Sequence, residues 1–149
     1  MGARDFFASV REAALEIRRI EARIERMRSA PGGSGAVAVA GGPAPSDGTA
    51  GIDRALDYEE AVRPVLAQDR DRVAAARRIL YGDGAGGVAL GIGASYADAV
   101  WWRACAGGTW DEVAERCMTS RATVIRWYGV AMDYVDAVGP DGAAEGAEA

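Results

Sequence analysis

The sequence predicts an all-α protein, with long N-terminal helices that form a coiled-coil-like hairpin or an oligomerisation arm, followed by a C-terminal module of three shorter helices. Two observations carry this. Apolar residues recur in steps of three and four over two long segments, and Ser and Thr stand at cap positions ahead of shorter segments from residue 95 onward. Half of the 149 residues are apolar, enough to build a core for one domain, or for a small domain with a helical arm.

The first element follows from Phe6, Val10, Ala13, Ile17, Ile20, Ile24 and Met27, which alternate steps of four and three. That spacing keeps one narrow apolar stripe facing a partner helix, and Glu16 with Arg19, Arg18 with Glu21 and Glu25 with Arg28 can pair on its flanks. Asp5 is the expected N-cap, so the helix covers residues 1–29 apart from its first few. Residues 30–51, "APGGSGAVAVAGGPAPSDGTAG", are glycine, alanine and proline with little to bury, and a disordered linker is expected there.

A second helix is expected over residues 52–80, where Ala55, Val62, Leu66, Val73, Ala76 and Leu80 fit the same heptad template. Pro64 removes a backbone donor inside it, so the segment either kinks there or divides into two helices. The two seams can pack on each other, or each can pair with a second copy of the chain. Heptad spacing does not reveal which chain supplies the partner. Residues 81–94, "YGDGAGGVALGIGA", lack the preceding strand and the Gly-Lys-Ser/Thr of a phosphate loop, so a glycine-rich hinge is expected.

Residues 95–138 form the C-terminal module. Ser95 and Asp98 have the spacing of a capping pair for a helix from Tyr96 to Gly107-Gly108. Thr109 is the expected cap of a second helix, "WDEVAERC", with Asp111 and Glu112 in its first turn. Ser120 is the expected cap of a third, which ends near Val138 because Gly139-Pro140 cannot continue it; residues 139–149 are expected to be a disordered tail. Three helices with a turn of three or four residues between the last two have the outline of a helix-turn-helix, whose third helix enters the DNA major groove.

Charge supports that outline locally. The chain carries 17 basic and 22 acidic residues, which argues against a surface that coats polyanions everywhere. Residues 116–132, however, contain Arg116, Arg121 and Arg126 and no carboxylate. Val124, Trp127, Ala131, Met132 and Val135 share the helical phase expected to face Trp110, Val113 and Ala114, which turns Arg121, Ala122, Ile125 and Arg126 outward. The candidate DNA-binding residues are therefore Arg116, Ser120, Arg121, Ala122, Thr123, Ile125 and Arg126. The guanidinium groups suit guanine edges or phosphates, and Ile125 suits a thymine methyl. Trp101, Trp102, Trp110 and Trp127 sit among aliphatic residues and are expected in the core.

No catalytic site is expected. With no histidine there is no Ser-His or Cys-His pair and no imidazole ligand, and Cys105 and Cys117 are too few for a zinc site, so two reduced thiols, no metal and no cofactor are expected. "MGARDFFASVREAAL" lacks the apolar run of a signal peptide, and no stretch has the length of a membrane span, so a cytoplasmic protein without membrane partners is expected.

The stretch "TWDEVAERCMTSRATVIRWYGVAMDYVD" resembles the DNA-binding part of phage-encoded transcriptional regulators of the RinA and ArpU type, and more remotely region 4 of bacterial sigma factors. The likeness lies in Trp-x-x-Val-Ala, then Ser-Arg-x-x-Val, then a hydrophobic helix ending near "YVD", and in the order of helix, low-complexity linker, helix and helix-turn-helix. The resemblance implies a late-gene activator that reads double-stranded DNA through Arg121, Ala122, Ile125 and Arg126. Contact through so few arginines is weak at cellular salt, which implies a homo-oligomer or RNA polymerase as a further partner. Two other classes stay open at this point: a small terminase-like packaging component that recognises phage DNA, and a helical adaptor that binds no DNA.

Overall fold

A computed structural model describes residues 1–29 and 49–149. It is all-α: α1 (Ala3–Ser29), α2 (Thr49–Tyr81), α3 (Gly87–Gly91), α4 (Ala94–Val100) continued by a π-helical turn (Trp101–Cys105), α5 (Trp110–Arg116) and α6 (Arg121–Glu145). Most of the expected linker, residues 30–48, lies outside the described residues, while Thr49–Gly51 already belong to α2. Among the described residues no helix is long and apolar enough to cross a membrane.

The chain forms two compact units, one of residues 1–15 with 69–149 and one of residues 16–68. In the first, Phe7 and Val10 of α1 share a core with Ala76 and Leu80 of α2 and with Val88, Val100 and Met132. In the second, Ile20, Ala55 and Leu66 are buried, Arg28 of α1 pairs with Glu59 of α2, and the Arg23 guanidinium lies 4.9 Å from the centroid of Tyr58. In the first unit α1 packs in one core with residues of α2, α4 and α6, and in the second it pairs with α2 of the same chain. Of the residues expected to line an oligomerisation seam, Val10, Ala13 and Ile20 are buried within the chain, and Ile17, Ile24 and Met27 are half-buried. At the start of the stripe Phe7 takes the buried place expected of Phe6, which packs half-buried against the same core with the two rings edge to face at 5.2 Å.

The ends of the elements differ from expectation where distant parts of the chain supply the partners. Asp5 lies inside the first turn of α1 and does not precede the helix; the Ala3 backbone N–H donates to Asp136 Oδ1 of α6 at 2.7 Å. Helix α2 runs unbroken past Pro64, which is exposed together with Glu60, so the carbonyl deprived of its donor is left to solvent. Helix α4 starts after Gly93 without a side-chain cap, which removes the Ser95–Asp98 pair. Asp98 instead accepts a hydrogen bond of 2.6 Å from the Tyr81 hydroxyl.

Residues 81–94 are a packed segment and not a hinge. Gly82, with φ of 60°, closes α2 through an N–H bond to the Arg78 carbonyl at 2.7 Å, and α3 follows with Val88 fully buried. Gly91 lies so close to Tyr134 that a Cβ there would collide with its hydroxyl. That hydroxyl donates to the Ala147 carbonyl at 2.5 Å. The tail is likewise ordered. Gly139, at φ 78° and ψ 163°, breaks α6 as expected, but the helix resumes to Glu145, buries Ala143 and closes on Gly146 in the left-handed region.

Gly91→Ala is expected to lower unfolding stability by about 1–3 kcal/mol, the usual cost of forcing a methyl into a packed site, as read by urea denaturation. Alkaline pH should also destabilise the fold. Burial pushes the Cys105 thiol up to about 12 from its ordinary 9.0, and burial followed by the Asp98 hydrogen bond pushes the Tyr81 phenol well above 10.0. Both folded values lie above the unfolded ones, so their contribution is full below pH 9 and is lost as pH rises through 9–12. Urea midpoints should stay level up to pH 9 and fall above it, and Cys105→Ala should make that fall shallower.

Candidate nucleic-acid interface

Thr109 and Ser120 start α5 and α6 as side-chain caps: Thr109 Oγ1 accepts the Glu112 N–H at 3.2 Å, and Ser120 Oγ accepts the Thr123 N–H at 3.2 Å. Ser120 Oγ also donates to Thr123 Oγ1 at 2.8 Å, so both hydroxyls are occupied in holding the first turn. Between the two helices the Met118 N–H bonds the Glu115 carbonyl at 3.1 Å and the Thr119 N–H bonds the Ala114 carbonyl at 3.0 Å. This pair of bonds is a Schellman closure, and it places Met118 at φ 52°, a position glycine usually fills. The Met118 side chain is 92% exposed.

A small core fixes the orientation of α6. Val113, Ala114 and Val124 are buried together, with Trp102, Trp110, Cys117 and Trp127 packed around them. With Val124 turned inward, Arg121, Ala122, Ile125 and Arg126 are exposed, Ile125 at 42%. Further along α6, Ala131, Met132 and Val135 join the main core. The tryptophans are thus packed against the cores, and two of them also carry arginines: the Arg103 guanidinium lies 4.4 Å from the Trp110 centroid and that of Arg116 lies 5.0 Å from Trp102. Cys105 is buried and Cys117 half-buried, and both are free thiols.

The structure therefore brings four of the candidate residues, Arg121, Ala122, Ile125 and Arg126, onto the exposed side of one helix. Ser120 and Thr123 stand beside them as the cap, and Arg116 is on α5, stacked on Trp102. Arg126 forms no ion pair among the described residues. Arg121 does: Asp111 Oδ1 of α5 lies 3.6 Å from its Nη1. The run without carboxylates in the sequence is not without them in space, because the turn at residues 117–120 returns the first turn of α6 to the first turn of α5. Both partners are largely exposed, and pairs of this kind contribute about 0.2–1 kcal/mol, so a phosphate can compete for Arg121.

Sequence periodicity along α6 also misses Arg11 and Arg103. Arg11 Nη1 donates to the carbonyls of Arg103 and Gly108, each at 2.7 Å, and so ties α1 to the start of α5. Comparison with known protein families, with curated proteins and with solved structures gives no match.

Met118→Gly should raise unfolding stability by about 1 kcal/mol by relieving a side chain in the left-handed region, a gain readable as a higher melting temperature.

Proposed function

We propose that the chain is a sequence-specific DNA-binding regulator of transcription, of the phage or prophage late-gene activator type that its C-terminal stretch resembles, and that it is not an enzyme. The observation that carries this reading is the exposed face of α6: two arginines and an isoleucine stand outward on the first turns of a capped helix, while Val124 between them is buried. A helix so equipped and preceded by a tight turn suits the major groove. Arg121 and Arg126 can meet guanine edges or phosphates, and Ile125 a thymine methyl.

Affinity in this reading depends on a second copy of the chain or on RNA polymerase, since two arginines neutralise few phosphates. A second copy would have to dock elsewhere than on the buried residues Val10, Ala13 and Ile20. Exposed Ile52 and Leu56, one turn apart on α2, are apolar surface available for it.

Selection of bound fragments from a random pool of duplex DNA by the full chain should enrich one motif, and failure to enrich any would refute the proposal. On the enriched duplex Arg126→Ala should weaken binding by about 1–3 kcal/mol. Asp111→Asn, which removes the competitor for Arg121, should tighten it.

A further inference from the structure

Arg4, Arg11 and Arg103 come from α1 and the π-helical turn, and their charges favour the ionised form of the Tyr128 phenol of α6 against a larger opposing effect of burial. Arg4 Nη2 lies 3.7 Å from where a Cβ on Gly129 would stand, so this guanidinium runs beside the exposed side of α6 at a residue that has no side chain. Arg103 lies over Trp110, and Arg11 and Arg103 share the Gly108 carbonyl at 2.7 and 3.1 Å. Burial first, and then the charge of Arg11, lower the pKa of Arg103, with a smaller contribution from Arg121. Like charges are thus held together from Arg11 through Arg103 toward the first turn of α6.

Their counter-charges are few. Arg4 pairs with Asp133 at 3.0 Å, an exposed contact, and Glu112 Oε2 passes beside Gly108. Arg11 and Arg103 form no ion pair among the described residues; their bonds go to carbonyl oxygens, which hold a guanidinium in place without cancelling its charge. A guanidinium has five N–H donors in a planar fork, and each of these two uses Nη1 in the bonds described, so donors remain for an oxyanion.

We propose that Arg11 and Arg103, with Arg4 alongside, form a second contact for duplex DNA that grips phosphodiester oxygens of the backbone beside the groove occupied by α6. This inference rests on the DNA-binding reading of α6 and deepens it. In a helix-turn-helix the helix before the recognition helix crosses the backbone, and these arginines cluster at the start of that helix, around Gly108 and Trp110. Phosphate contacts position a protein without reading sequence, so the pair supplies affinity and register while Arg121, Ile125 and Arg126 discriminate bases.

The test titrates the full chain against the selected duplex and a scrambled one over a range of salt concentrations. Arg11→Met and Arg103→Met should each weaken both duplexes equally and make the slope of log affinity against log salt shallower by about 1, and Arg11→Lys should recover it. Ala8 is exposed one turn from Arg4 and from Arg11, so Ala8→Glu brings a carboxylate to them without touching the core and should also weaken both duplexes equally. If melting shows that Arg11→Met does not fold, Arg103→Met and Ala8→Glu decide. Wild-type slopes in these variants, together with loss of site preference in Arg126→Ala, overturn this inference and leave the α6 reading standing. A wild-type chain that binds neither duplex overturns both.

Discussion

The register at which α6 starts governs what the C-terminal half of the chain presents to its surroundings. Each residue advances an α-helix by about 100°, so a start shifted by one position would bury Ile125 and expose Val124. Ser120 fixes the start from one side through its bond to the Thr123 N–H, and the closure of α5 at Met118 fixes it from the other. The small core around Val113 and Val124 then accepts only that phase. Outward arginines are a consequence of this inward valine.

Local signals made much of this legible. The Thr109 and Ser120 caps, the break at Gly139 and the phase of Val124 are properties of a few adjacent residues, and they stand in the structure where the sequence places them. The apolar stripe of α1 is legible in the same way from Val10 onward. What was not legible depends on partners far along the chain. Asp98 has the spacing of a cap but is taken by the Tyr81 hydroxyl, and the glycines of residues 82–91 look permissive until Tyr134 and Ala144 come to lie against them. Asp111 is invisible as a partner of Arg121 until the turn brings the two first turns together.

Arginine has a second role in this chain besides carrying charge. With no lysine, every cation is a planar group able to stack and to donate several hydrogen bonds at once. Arg103 and Arg116 lie on tryptophans and Arg11 spans two carbonyls, so guanidinium groups are parts of the joints between helices. A net acidic protein can in this way keep a local concentration of positive charge in a defined arrangement.

The hydrogen bond from the Ala3 N–H to Asp136 spans 133 positions of sequence. The opening turn of α1 therefore emerges from the ribosome long before the carboxylate that completes it, and Phe7 and Val10 must wait equally long for Met132. Bringing segments so far apart in sequence together costs loop-closure entropy before their contacts repay it, so the joint between α1 and α6 slows folding relative to a bundle held by neighbouring helices alone.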